Sequence, residues 1–162
     1  MNLIQQAENK LASLCHPTLE ELRQALSSLD LTPEQTSPYV TEPDRLPYGR
    51  RVIFRSKDVE AVVLHFPPHV KTAIHNHGDA IGCACVLQGT ILNTVYKVGA
   101  YGFAEPEENQ VVTEGQWLFA PYSQIHALSN PSDSPAVSVH LYSPPLEGIK
   151  GFQPIPELDF VI

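Results

Sequence analysis

From Tyr48 onward the chain breaks into short runs of β-branched and apolar residues punctuated by Gly, Pro, Asn and Asp. The runs fall at 51–55, 60–66, 71–77, 81–87, 90–96, 110–112, 116–120, 125–129 and 136–142. Many short, evenly spaced strands with turn residues between them predict an all-β sandwich or barrel. The chain before them reads differently. Leu3, Ile4, Ala7, Leu11 and Leu14 recur at helical spacing, and His16-Pro17 closes a helix over 2–14. A second helix over 18–29 opens on Thr18-Leu-Glu-Glu21, a capping-box pattern, and carries Leu19, Leu22, Leu26 and Leu29 as its apolar stripe. Residues 31–47 are rich in Pro, Thr and Ser, with Thr32-Pro33-Glu34 starting a helical turn. No internal repeat or second core is visible. The expected organisation is one domain over 1–162, with a helical segment over 1–37 packed on the barrel.

Size and charge narrow the function. At 162 residues and 43% hydrophobic, the chain can bury one sizeable core. Its formal net charge of -8 argues against a nucleic-acid partner, which selects for a basic face. No segment reaches the ~18 apolar residues of a membrane span, and MNLIQQAENK lacks the basic and apolar regions of a signal peptide. The expectation is a soluble cytoplasmic protein, and a monomer, because no apolar surface stripe is seen outside the helices. Cys15, Cys83 and Cys85 form no disulfide framework, which agrees with a reducing compartment. Cys83 and Cys85 share one strand face and read as small buried side chains.

Within the β region stands Ile74-His75-Asn76-His77. On an extended strand the two histidines face the same side and can close on one ion. Four residues separate His77 from Gly82, and six separate Gly82 from Gly89; further on, Gly115, Pro121-Tyr-Ser123, His126 and Asn130 follow at short intervals. These two groups resemble the paired motifs of the cupin superfamily, a double-stranded β-helix or jelly-roll barrel. The family's first motif offers His-x-His, a glutamate and a glycine, and its second Pro-x-Gly and a third histidine. Here Gly82 stands at the glutamate position and Ser123 at the second motif's glycine. The resemblance therefore implies His75, His77 and His126 as a metal set with no carboxylate. An ion held by neutral imidazoles keeps its full charge and suits an anionic substrate that itself becomes a ligand. Ligand type alone leaves Fe, Ni, Cu and Zn open, and zinc with water would suit hydrolysis. His65 and His69, flanking Pro67-Pro68, read as surface histidines, and His16 as a helix-end residue placed to favour the dipole.

The last strand reads Ser138-Val-His140-Leu-Tyr142-Ser143-Pro144-Pro145. Alternation puts Ser138, His140 and Tyr142 on one face, where polar groups are costly unless bonded to each other or to a site. With His75-Asn-His77-Gly, Gly82-Cys-x-x-Val-Leu-x-Gly89 and Tyr48-Gly-Arg50, this segment resembles bacterial cysteine dioxygenase, over roughly residues 38–148. The resemblance implies an Fe(II) enzyme that adds both atoms of O₂ to a thiol, giving a sulfinate. It implies iron on His75, His77 and His126, and the substrate carboxylate on Arg50. It further implies Tyr48 lining the pocket, an outer relay of Ser138, His140 and Tyr142, and a cis Ser143-Pro144 bond. Animal members join a cysteine to the matching tyrosine; Gly82 occupies that cysteine's place, and Cys83 faces away, so Tyr142 is expected to be uncrosslinked. Asn76, where the family has aspartate, is expected to face away from the metal with little chemical consequence.

Three other functions compete with L-cysteine oxidation. One is a dioxygenase for another small thiol such as 3-mercaptopropionate, although enzymes of that kind often carry glutamine in place of Arg50. A second is a non-catalytic metal-binding cupin, which would need no Ser-His-Tyr strand. A zinc-dependent lyase or isomerase is the third, and it would consume no O₂.

Overall fold

The computed structural model describes residues 1–156. The elements in order are helices α1 (Leu3–Leu11), α2 (Leu19–Ser27) and α3 (Pro33–Thr36), a 3₁₀ turn (Ser37–Tyr39), and ten strands. The strands are β1 (Gly49–Arg55), β2 (Glu60–Phe66), β3 (Ile74–His75), β4 (Ile81–Gln88) and β5 (Thr90–Val98). They continue with β6 (Ala104–Thr113), β7 (Trp117–Ala120), β8 (Ile125–Ser129), β9 (Ala136–Ser143) and β10 (Gly151–Phe152). They form two antiparallel sheets, ordered β1-β2-β9-β4-β7 and β10-β3-β8-β5-β6. This is the expected jelly-roll barrel with helices at its N-terminal side.

Every residue of β2 and β9 is buried, so neither strand has a wet face. One face, with Ala61, Val63, Val139 and Leu141, packs under Leu3, Leu11, Leu22 and Leu26 of α1 and α2. The opposite face, with Val62, Leu64, Phe66, Ala136 and Tyr142, turns into the barrel against Ile91, Leu118 and Leu128. The helices therefore cover the first sheet, as their leucine stripes predict. Cys83 lies in this helix-side core, and its burial beneath the helices pushes the thiol up to about 12.

Several local expectations change. The helices are shorter than their apolar stripes, α1 ending at Leu11 and α2 at Ser27. The Thr18 hydroxyl accepts from the Glu21 amide but also donates to the Glu21 carboxylate, so the reciprocal half of the box is not made. Complete boxes form instead at Asn2 with Gln5 and at Thr32 with Gln35. His16 lies beyond α1 with φ 43°, its backbone amide donating to Asp58 Oδ1, and has no helix end to favour. The run 71–77 pairs as a strand only at Ile74–His75. The run 110–112 grows to Ala104–Thr113, because its glutamates lie on an exposed edge strand that apolar patterning does not register. His65 is buried rather than on the surface, with Nδ1 2.9 Å from the Thr41 carbonyl, while His69 is exposed beside Asp133. Asn130, in the second motif, braces a loop by donating to the carbonyls of Phe66 and Ser134.

Leu22 is fully buried beneath α2. Leu22→Ala should lower stability by about 2–5 kcal/mol in urea unfolding, because a cavity opens between helix and sheet. A loss within ~0.5 kcal/mol would mean that the helix layer contributes little.

Candidate metal centre

Three separate elements bring the histidines together. His75 ends β3 and pairs directly with His126 of β8, while His77 lies just past the strand. The approach of His77 is set by a turn rather than by strand alternation alone. Gly78 has φ 61°, and a Cβ there would meet the Glu147 carbonyl at 2.5 Å. Asn76 makes that turn: its Oδ1 accepts from the amides of Gly78 and Lys150. The side chain thus holds the segment after the pair. This is a structural role that alternation alone had not indicated for Asn76.

The ligand nitrogens of His75, His77 and His126 all lie within 4.8 Å of one another. The Nε2 atoms of His77 and His126 are 3.2 Å apart. Two lone pairs at that separation repel unless a proton or a cation lies between them. The other ring nitrogens of His75 and His126 are already engaged. Nδ1 of His75 is 2.7 Å from the Ala73 carbonyl, and Nδ1 of His126 is 2.9 Å from Asn93 Oδ1. With Nδ1–H donated there, Nε2 of each ring keeps its lone pair for a metal. Burial lowers the His75 pKa, and together with the neighbouring His75 it takes His77 down to about 4. Burial and the neighbouring rings hold His126 well below the ordinary histidine range. Neutral imidazoles are the protonation state that a metal needs, so the three residues fit a divalent transition metal.

Beside them, β9 carries the polar face read from its sequence. Ser138 Oγ lies 2.7 Å from His140 Nε2, and Tyr142 Oη lies 3.1 Å from His140 Nδ1, all three buried. Burial takes the His140 pKa down to about 3 and pushes Tyr142 up, so both are neutral near pH 7. The Tyr142 ring lies 5.0 Å from the His77 ring, centre to centre. Gly82 pairs with Tyr142 across β4 and β9, and a Cβ at Gly82 would fall 2.6 Å from the tyrosine ring. The glycine at the carboxylate position thus also makes room for the phenol. Cys83 pairs with Leu141 and lies in the core under the helices, on the other side of the sheet from the Tyr142 ring. The Ser143-Pro144 bond is cis. Ser123, at the second motif's glycine position, has φ 63°, so the change is not wholly minor: the backbone there is of the kind glycine adopts without strain.

A cavity of about 460 Å³ opens over His75 and His77, walled also by Tyr48, Arg50, Val62, Leu64 and Tyr142. The Tyr48 ring stacks on Phe66 at 5.3 Å. Arg50 reaches the wall with its guanidinium already engaged: Nη2 donates to Glu60 Oε1 at 2.9 Å. Sequence patterning singled out neither Glu60 nor Asn93. A signal existed in both cases, because each is a polar residue in an otherwise apolar inward-facing row. Only strand register shows what each one meets.

Fold and site together define a cupin, a small β-barrel whose histidines converge at one end. Solved structures agree. A conserved Klebsiella pneumoniae protein with a double-stranded β-helix domain matches with a TM-score of 0.60 at 21% identity, covering 73% of this chain and 88% of its own. A Thermus thermophilus protein gives 0.55 at 19%, covering 67% and 93%. The cupin domain of Schizosaccharomyces pombe Cnp3 gives 0.56 at 14%, covering 68% and 72%. At these identities the likeness is one of fold. Within that fold, the sequence model described as cysteine dioxygenase type I matches residues 39–154, and the chain belongs to that family.

Two measurements probe the centre. Asn93→Ala should weaken metal binding about 10–100-fold in a competitive chelator titration, since His126 loses the group that fixes its ring; unchanged affinity would remove Asn93 from the centre. The second concerns pH. His140 has a lower pKa folded (about 3) than unfolded (near 6.5), so the unfolded chain binds the extra proton first. Its contribution to stability is complete above pH 6.5 and is lost as pH falls toward 3. In metal-free protein, His140→Gln should flatten the fall of urea midpoint over that window; parallel curves would contradict it.

Proposed function

We propose that the protein oxidises L-cysteine with O₂ to cysteine sulfinate, at Fe(II) held by His75, His77 and His126. The observation that supports this most directly is the convergence of three neutral imidazoles, His77 and His126 buried and His75 half-buried, beside a cavity whose wall carries His75, His77 and a guanidinium. In the reaction both oxygen atoms join the sulfur, which gives up the electrons that O₂ takes. Ferrous iron in this position would supply one-electron chemistry that bridges the spin mismatch between a spin-paired thiolate and triplet O₂.

The chain's own residues do the rest. Arg50 binds the substrate carboxylate through the donors that Glu60 leaves unused. Tyr142 donates to the bound substrate, and His140 sets the direction of that proton. If Ser138 donates to Nε2 and Nδ1–H donates to Tyr142 Oη, the phenol proton is free to face the cavity. Val62, Leu64 and Leu128 exclude water from the walls, which strengthens the charged contacts. Absence of a carboxylate among the ligands leaves the charge of the ion to be met by the substrate's own anionic groups. Tyr142 acts without a thioether, since Gly82 supplies no sulfur. As proposed, the protein takes a small thiol and O₂ and works as a cytoplasmic monomer without nucleic-acid or membrane partners.

A second reading is another small thiol, such as 3-mercaptopropionate, which keeps the thiol and the carboxylate of cysteine and lacks only its amine. The lining favours it in one respect: its carboxylate among the described residues, Glu60, is already held by Arg50 and Arg55, so no anion is left to meet a substrate ammonium.

Iron-loaded protein should take up O₂ and form sulfinate with L-cysteine, and far less with cysteamine, which has no carboxylate. Uptake with none of L-cysteine, 3-mercaptopropionate or cysteamine would end the dioxygenase reading. Arg50→Ala should raise KM for L-cysteine about ten- to a hundredfold, the worth of one charged hydrogen bond. An unchanged KM would move the carboxylate site elsewhere.

A further inference from the structure

Strand β1 presents two arginines to the cavity that a regular strand would turn to opposite faces. Arg50 and Arg55 are an odd number of residues apart, and side chains alternate with period two. A bulge resolves the conflict. Val52 pairs with Val62 and Phe54 with Ala61, which leaves Ile53 unmatched on β2. An extra residue of this kind reverses the facing of everything beyond it. Ile53 enters the helix-side core, while Arg50, Val52 and Arg55 all line the cavity.

Both guanidiniums close on one acid. The Glu60 side chain is 2% exposed, with Oε1 2.9 Å from Arg50 Nη2 and Oε2 3.2 Å from Arg55 Nη1. Glu60 pairs with Arg55 on one side and with Tyr142 on the other, so the group sits one strand from the phenol. A buried carboxylate is retained only where its charge is met. Here it is met twice, and two guanidiniums against one carboxylate leave a single positive charge at the cavity wall. With Arg50 alone, Glu60 would cancel that charge, and an incoming carboxylate would find a neutral wall.

We propose that Glu60 is a positioning residue for Arg50, and that Arg55 is a second specificity-determining residue for the carboxylate of the substrate. Arg55 acts by neutralising Glu60, which frees the charge of Arg50 for the ligand. The inference rests on the thiol-dioxygenase reading and adds to it the residues that make the cavity select a carboxylated thiol.

The test is a charge cycle in the full chain: Arg55→Gln, Glu60→Gln, the double variant, and Arg55→Lys. Steady-state kinetics of iron-loaded protein with L-cysteine, 3-mercaptopropionate and cysteamine are paired with calorimetric titration of propionate, a carboxylate without a thiol. Arg55→Gln should raise KM for both carboxylated thiols about tenfold and weaken propionate binding to match, with KM for cysteamine moving less than about threefold. Arg55→Lys should stay within about threefold of the parent, because it keeps the charge. The double variant should recover KM and propionate affinity to within about threefold of the parent, while kcat falls below the parent's in it and in Glu60→Gln, because Arg50 has lost its charged anchor. A double variant no better than Arg55→Gln, or an equal rise in KM for cysteamine, would overturn the proposal and leave the group a purely structural ion pair. Thermal unfolding of each variant identifies one that fails to fold, and the Arg55→Lys result then decides. If the parent oxidises no thiol, the dioxygenase reading falls, and the propionate titrations still decide for or against the arginine pair.

Discussion

Strands β2 and β9 are dry on both faces, and most of the molecule follows from that constraint. A strand in the middle of a sheet satisfies its backbone through its neighbours, but its side chains must find cover above and below. On one side the cover is α1 and α2, whose leucines would otherwise be exposed. On the other it is the second sheet, which closes the barrel. The helices are therefore part of the core beneath the first sheet, whose other face carries Tyr142.

A dry interior also governs the polar side chains placed in it. Each buried polar group must find a partner, and here the partners form short closed sets. Ser138, His140 and Tyr142 bond in a row along β9; Asn93 holds His126; Glu60 holds two arginines. Burial keeps the imidazoles neutral, so the barrel end offers a cation lone pairs rather than competing protons. The positive charge at the wall comes from β1, and the ligand nitrogens come from β3, β8 and the turn after β3. One rung of the first sheet, Arg55–Glu60–Tyr142–Gly82, links the charged wall to the phenol and to the glycine that makes room for it.

How legible this was depended on whether a feature is periodic. β9 could be read from alternation, and its polar and apolar faces fall as the pattern requires. β2 and β8 also match their runs residue for residue. β6 and β10 could not be read that way, since one is an exposed, acidic edge and the other is two residues long. His75 and His77 converge as the spacing suggests, yet a glycine turn and an asparagine brace bring His77 in where strand geometry ends.

By itself, the sequence determined the barrel, the helical cover, the three histidines and the polar face of β9. Local spacing carries the helices, the short strands and the polar face of β9, while His126 joined His75 and His77 through the resemblance of two separated motifs to the cupins. Tertiary structure alone decided what Arg50 holds, what fixes His126, and why Arg55 shares a cavity with Arg50. The physical reason is the bulge at Ile53: one unpaired residue reverses the side to which a strand points. Residue spacing carries no mark of it. Only the register against β2 shows that two arginines and a buried glutamate share one wall.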